Sequence, residues 1–181
     1  SRLVAKEIKI NKNDDLFAAT PPLEAKQLLF AAAVTEGIGY KRGNTHKGTK
    51  LQFIDVRRAS FHAQAMREVY IELPAEDGEE GMCGMRNKSM YGTREDEQNW
   101  EEEYKEFLEG ENFRTGKSNT CVFVHNNRSL RVVVHGDDFT FLGCDDDLVW
   151  AHDIMAAEYE IKNRGKLGPD STDQKNIRIL N

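Results

Sequence analysis

Three aspartates lie where the sequence predicts neighbouring strands, and they are the residues best suited to chemistry. Two of them, Asp137 and Asp138, are adjacent and lie between two β-branched and aromatic segments, 132–134 and 139–142. These segments have strand composition, and Gly136 with Asp137 has turn chemistry because both residues tolerate positive φ. The pattern predicts a β-hairpin with two carboxylates at its tip. An ordinary turn with solvated aspartates is the alternative.

The third aspartate, Asp55, lies near the end of a strand-like segment, 51–56. A carboxylate in a buried strand is costly unless it is paired or binds a metal. Carboxylates from two neighbouring strands can hold a pair of Mg²⁺ ions, which clamp the attacking and leaving oxygens of a phosphoryl transfer. The residues therefore indicate metal-dependent phosphoryl chemistry. Two alternatives stay open: Asp55 as a cap of the next segment, and an unrelated Mg²⁺-dependent phosphoesterase.

Composition and charge narrow the class of protein. A chain of 181 residues with 39% hydrophobic residues can form one domain, or one with a small extra lobe. No run of 18 apolar residues occurs, so no transmembrane helix and no membrane partner are expected. The net charge of -6 argues against a simple nucleic-acid-binding module, but the basic residues are clustered, and phosphate backbones need local patches.

The termini bear on whether the chain is a fragment, and the cysteines bear on its redox environment. The absence of an initial Met and the abrupt end suggest a fragment of a longer chain. The three cysteines have no metal-type spacing, so we expect reduced thiols in an intracellular protein, in the cytoplasm or the nucleus.

The order of elements predicts an α+β fold. Helices are expected from Thr20 to Val34, over 99–108 and over 145–159, and strands over 51–56, 68–73, 82–85, 121–125, the two hairpin arms and 175–180. This order is close to a split β-α-β-β-α-β arrangement, an antiparallel sheet with helices on one face. The carboxylates would then converge on the open face of that sheet.

Five motifs resemble copia-type retrotransposon reverse transcriptases. They are RLVAK at 2–6, IDVRRA at 54–59, VYIELP at 69–74, KSMYG at 88–92 and HGDD at 135–138. The resemblance covers essentially the whole chain. It implies a reverse-transcriptase palm at 51–181 with a fingers-side insertion at 69–95, a partial fingers region at 1–50, and no thumb or RNase H part.

The same resemblance implies an RNA-directed DNA polymerase that extends a primer 3′-hydroxyl. Asp55, Asp137 and Asp138 would be the catalytic, metal-binding residues, holding two Mg²⁺ ions, with Mn²⁺ as an alternative. The partners would be an RNA or DNA template-primer, deoxynucleoside triphosphates and the remainder of the retrotransposon polyprotein. Substrate contacts would come from six further residues: Arg2, Lys6, Arg58, Ser60, His135 and Gly136.

The sequence departs from the family pattern at three places. His135-Gly136 replaces a Tyr followed by a small apolar residue. Ser60 stands where a ring that excludes a ribose 2′-hydroxyl is usual. Acids at 95–97 stand where template and nucleotide should pass, which is electrostatically unfavourable. These departures leave open a second hypothesis, a catalytically inactive relic or an adopted domain that binds nucleic acid or protein.

Overall fold

The computed structural model describes residues 18, 20–34, 48–73, 76, 82–93 and 95–178. The chain forms two compact units. We call Ala19–Arg57 with Phe107–Asn181 the sheet unit; it contains the hairpin that carries Asp137 and Asp138. We call Ser1–Ala18 with Arg58–Glu106 the hairpin unit, which does not contain that hairpin. The assignment of fingers and palm along the chain stays a prediction.

The chain is a mixed α/β protein in which groups of strands lie between the helices. In order they are α1 (Leu23–Val34), β1 (Lys50–Val56), a 3-10 turn (Ala59–Phe61), β2 (Tyr70–Glu72), β3 (Cys83–Met85), α2 (Asp96–Gly110), β4 (Phe113–Thr115), β5 (Val122–His125), β6 (Arg131–His135), β7 (Asp138–Gly143), α3 (Asp145–Glu158) and β8 (Ile161–Leu167). Within the described ranges, no helix is both long and apolar enough to cross a membrane.

Six antiparallel strands form the sheet of the sheet unit. Their order is β4-β5-β6-β7-β1-β8. The β-branched and aromatic residues that predicted β6 and β7 form the core, and Val132, Val134, Phe139 and Phe141 are almost fully buried. The antiparallel sheet expected from the sequence is therefore confirmed.

The helices α1 and α3 pack on opposite faces of this sheet. On one face, Leu29 of α1 packs with Leu51 and Phe53 of β1. On the other, Lys50 of β1 forms an ion pair with Asp145 at the start of α3, at 2.8 Å. The helix α1 is not one of the two helices of the predicted split arrangement, and it covers the face that also carries Asp55.

The last strand differs most from the sequence prediction. The final strand is β8, whereas residues 175–178 are not in a strand, and 179–180 lie outside the described residues. The sequence of β8 (IKNRGKL) is polar and contains a glycine, so it carries little strand signal. It forms because it pairs antiparallel with β1, with one register shift opposite Phe53 and Ile54.

Candidate active site

The sheet brings two of the three predicted catalytic aspartates directly opposite each other. Asp55 of β1 pairs in register with Asp138, the first residue of β7. Residues paired in this way point to the same face, with Cβ atoms about 5 Å apart. Asp137 precedes Asp138 in the hairpin turn, and its carbonyl accepts a hydrogen bond from the Val56 amide at 2.9 Å. All three residues therefore lie at the same end of β1.

The turn that carries Asp137 has the predicted chemistry. His135 pairs with Asp138, so Gly136 and Asp137 form a two-residue hairpin loop. Gly136 has φ of 62°, in the left-handed region that favours glycine. A positive φ at the first loop residue is typical of a type II′ turn, whose twist matches that of the flanking strands.

The carboxylates repel one another, and the pKa values of Asp138 and His135 are both shifted at this site. Burial, Asp137 and Asp55, in that order, raise the pKa of Asp138 above its ordinary value. Burial and the nearby Lys26 lower the pKa of His135, so this imidazole is neutral at pH 7.

Lys26 of α1 is a second unusual group beside the site. Its side chain is only 3% exposed, and its Nζ has no hydrogen-bond partner in the described part of the chain. Burial lowers the pKa of Lys26, and the charge of Asp138 opposes that shift. A buried, unpaired ammonium partly offsets the negative field of the aspartates.

Arg164 of β8 supplies the direct counter-charge. Its Nη2 donates a hydrogen bond to Oδ2 of Asp55 and forms an ion pair with it. The Arg164 side chain is 46% exposed, and that of Asp55 is 16% exposed. The cluster is thus flanked by one exposed and one buried cation.

The donor set fits a hard divalent cation. Among the described residues, no three or more His, Cys, Asp or Glu side chains are arranged to hold a metal ion as they stand. Mg²⁺, however, is commonly bound through one or two carboxylates together with substrate phosphates and water. The opposed carboxylates of Asp55 and Asp138 meet that requirement, and their mutual repulsion favours a shared cation.

The remaining predicted substrate residues fall outside the described residues or outside the sheet unit. Arg2 and Lys6 lie outside the described residues. Arg58 and Ser60 belong to the hairpin unit. Arg58 is exposed and has φ of 54°, a left-handed conformation that is uncommon for arginine.

Ser60 is buried, not exposed as a sugar contact would require. Its side chain is 3% exposed, and its hydroxyl hydrogen-bonds Asp96 of α2. Burial raises the pKa of Asp96, and this bond opposes the shift. The role of Ser60 toward the sugar stays a prediction.

The acids at 95–97 are partly internal to the hairpin unit. Glu95 is 5% exposed and accepts two hydrogen bonds from Arg67, at 3.0 and 2.9 Å. The buried Arg86 also pairs with Glu95, at 3.3 Å. The charge of Glu95 is therefore balanced within the unit.

Sequence reasoning missed both cations of the site. Lys26 lies three and four residues before Leu29 and Phe30, so helical periodicity places it on their buried face. For Arg164 the signal is the following glycine, because a glycine inside a strand often marks a β-bulge.

Comparisons with known proteins identify the family of the chain. The family described as "Reverse transcriptase (RNA-dependent DNA polymerase)" matches residues 1–169. The chain is also similar to the "Retrovirus-related Pol polyprotein from transposon TNT 1-94" of Nicotiana tabacum, with 24% identity over 106 residues. That match covers 55% of this chain and 8% of the tobacco protein, so the chain spans a small part of its relative. No solved structure matches.

The chain belongs to the reverse transcriptase family. The resemblance to copia-type retrotransposon reverse transcriptases that the motifs indicated is confirmed by these two matches.

Proposed function

We propose that this chain is the polymerase part of a retrotransposon Pol polyprotein and extends a primer 3′-hydroxyl on an RNA template. The observation that carries the proposal is the in-register pair of Asp55 and Asp138, beside Asp137, in a chain of the reverse transcriptase family. The relation to the polyprotein rests on the tobacco relative.

The strand order supports a polymerase palm. The segments β1, α2, β6, β7, α3 and β8 follow one another as β-α-β-β-α-β, with β2 and β3 inserted before α2 and β4 and β5 inserted after it. The four strands lie in the order β6-β7-β1-β8, so β7 lies between the two strands that α2 connects. This is the split β-α-β arrangement, and it places Asp55 beside the hairpin that carries the other carboxylates. We assign the palm to 51–181 and the fingers to 1–50 and 69–95.

The chemistry of the site follows from its donors. Asp55 and Asp138 would hold Mg²⁺, with Asp137 as a third ligand from the exposed turn. When bound, two such ions activate the primer hydroxyl and stabilise the charge on the triphosphate. The protein supplies position: the ladder between β1 and β7 fixes the spacing of the carboxylates of Asp55 and Asp138, and the Gly136-Asp137 loop positions the carboxylate of Asp137.

Several contacts are proposed from the resemblance. A neutral His135 and Gly136 would lie under the primer end, and Arg2, Lys6 and Arg58 would contact the triphosphate. Template-primer and deoxynucleoside triphosphates are the proposed partners. The described cysteines are all free thiols, in keeping with an intracellular setting.

The inactive-relic hypothesis loses part of its support. It rested on His135, Ser60 and the acids at 95–97, but Glu95 and Ser60 both have partners inside the hairpin unit. Local packing explains Glu95 and Ser60, so these two residues do not indicate a loss of function.

Primer extension tests the proposal. The 181-residue chain is compared with Asp55→Asn and Asp137→Asn, and with Asp153→Asn as a matched control on the exposed side of α3. We expect Mg²⁺-dependent extension by the parent chain and the control, and losses of about 10³-fold in each site variant, because charge stabilisation dominates at such sites. Extension by both site variants at the rate of the control, with folding intact, would overturn the proposal.

A further inference from the structure

β8 contains a bulge at the point where it passes Asp55. Phe53 of β1 pairs with Gly165, but the next residue, Ile54, pairs with Asn163. Arg164 is therefore the extra residue, without a partner in the β1–β8 register. Bulges of this kind re-aim a side chain and often occur beside active sites.

The bulge is built into the local sequence. Gly165 has φ of 126°, which side chains other than glycine rarely adopt, and a Cβ there would overlap the side chain of Gln174. The amide of Gly165 donates to Oδ1 of Asn163 at 2.9 Å, and the amide of Gln174 donates to the Lys166 carbonyl at 2.9 Å. Two adjacent contacts therefore fix the conformation that directs Arg164 toward Asp55.

The guanidinium of Arg164 lies within the field of all three carboxylates. Its hydrogen bond to Asp55 raises its pKa, and the charges of Asp138 and Asp137 add to that shift. Its side chain is 46% exposed, so a solute that reaches the aspartates also reaches Arg164.

A divalent ion on Asp55 would compete with Arg164 for the same carboxylate. Two cations on one carboxylate repel each other, so the guanidinium would leave Oδ2 of Asp55. A phosphate bound to that ion would then offer the guanidinium a replacement anion beside the aspartates. Arg matches phosphate well, because its planar fork offers paired N–H donors in the geometry of two phosphate oxygens.

We propose that Arg164 is a phosphate-binding residue of this site, which exchanges the Asp55 carboxylate for the triphosphate of the incoming nucleotide when a divalent ion binds. The inference rests on the proposed function and adds a substrate contact from β8. It assigns Arg164 two opposite effects: it weakens binding of the bare ion, and it strengthens binding of the ion–triphosphate complex.

Two binding measurements on the 181-residue chain test the proposal without turnover. Mn²⁺ alone is titrated by electron paramagnetic resonance, and dTTP is titrated in the presence of Ca²⁺. The variants are Arg164→Gln, Arg164→Lys and Asp55→Asn. The matched control is Arg128→Gln, since Arg128 also forms an ion pair with an aspartate, Asp147, at 2.9 Å, beyond the opposite end of β6.

We expect Arg164→Gln to tighten Mn²⁺ binding about threefold or more, because a competing charge is removed. It should weaken dTTP binding about tenfold, the loss expected for one hydrogen bond to a charged group. Arg164→Lys should fall between the parent and Arg164→Gln in both measurements, because it keeps the charge and loses the fork. Arg128→Gln should match the parent.

The outcomes separate the two proposals. If Asp55→Asn leaves Mn²⁺ binding unchanged, the metal site and the proposed function fail. If Asp55→Asn abolishes Mn²⁺ binding but Arg164→Gln matches Arg128→Gln for both ligands, the site stands and the role of Arg164 is overturned. Weaker binding of both ligands by Arg164→Gln would also overturn it, since this indicates support of Asp55 without competition.

Discussion

Lys50, at the start of β1, should be the most sensitive charged residue of the sheet unit. Its ammonium lies 2.8 Å from Asp145, 2.7 Å from Asp170 and 2.9 Å from Asp173. The side chains of Lys50 and Asp173 are 2% and 0% exposed. This cluster ties β1 to α3 and to the segment whose Gln174 holds the β8 bulge.

Lys50→Met should lower the free energy of unfolding by about 3 kcal/mol. Removing one partner of a buried ion pair costs roughly 3–5 kcal/mol, because the other charge is left buried. The lower end applies because Lys166 also pairs with Asp145 and lies 3.9 Å from Asp173. Urea denaturation followed by circular dichroism measures the change.

Two controls and one pH series make the test specific. Lys166→Met should cost about 1 kcal/mol or less, since its side chain is 32% exposed. Adding Asp173→Asn to Lys50→Met should recover stability, because the amide keeps an acceptor without the unpaired charge. A Lys50→Met variant within about 1 kcal/mol of the parent would refute this reasoning.

The pH dependence has a definite sign. Burial alone would raise the pKa of Asp145 and Asp173, but hydrogen bonds from Lys166 and Lys50 lower the first, and a bond from Lys50 lowers the second. A depressed folded pKa gives stability that is present above the unfolded value of about 3.9 and is lost as pH falls through the folded value. Lys50→Met should therefore lose less stability in acid than the parent.

Three further predictions concern single residues. Gly136→Ala should lower the free energy of unfolding, measured by urea denaturation, by about 1 kcal/mol. No atom lies within 4 Å of the added Cβ, so only the left-handed backbone is strained; a loss above about 3 kcal/mol would contradict this. Ser60→Phe should destabilise the protein by about 1–3 kcal/mol, since the site is buried and the bond to Asp96 is lost; an unchanged melting temperature would argue against the burial. Asp55→Asn should lower the pKa of Asp138, measured by carboxyl NMR, because one of the two repelling charges is removed; an unchanged pKa would place the two carboxylates further apart.

The sequence predicted β1, β6 and β7 well because their signals are local. The runs around the hairpin are apolar and β-branched, and Gly136 marks the turn, so composition alone places Asp137 and Asp138. Asp55 followed from the cost of a carboxylate in an apolar strand. The direct opposition of Asp55 and Asp138 depends on register, which single segments do not determine.

The cations of the site could not be placed in the same way. β8 is stabilised by its pairing with β1, between residues more than a hundred positions apart, so its polar sequence alone does not predict a strand. In the sequence, Arg164 is one basic residue between Lys162 and Lys166. Lys26 lies in a predicted helix, but which face of the sheet receives that helix depends on tertiary packing.

Local partners also changed the meaning of two apparent departures from the family. Glu95 seemed to oppose the passage of nucleic acid, but Arg67 and Arg86 balance its charge. Ser60 is buried against Asp96, and its role toward the sugar stays a prediction. A charge count along the sequence does not show which charges are paired.

Paramagnetic broadening by Mn²⁺ tests the central claim most directly, because it locates the cation without requiring catalysis. Mn²⁺ is titrated into the ¹⁵N-labelled chain, and the loss of each backbone amide signal is recorded. The carboxylate pair predicts that the amides of Asp55, Asp137 and Asp138 broaden first, and that Asp55→Asn removes this effect while Asp153→Asn does not. Broadening that begins instead at the Asp145 and Asp173 cluster, or that persists unchanged in Asp55→Asn, would contradict the assignment of this site.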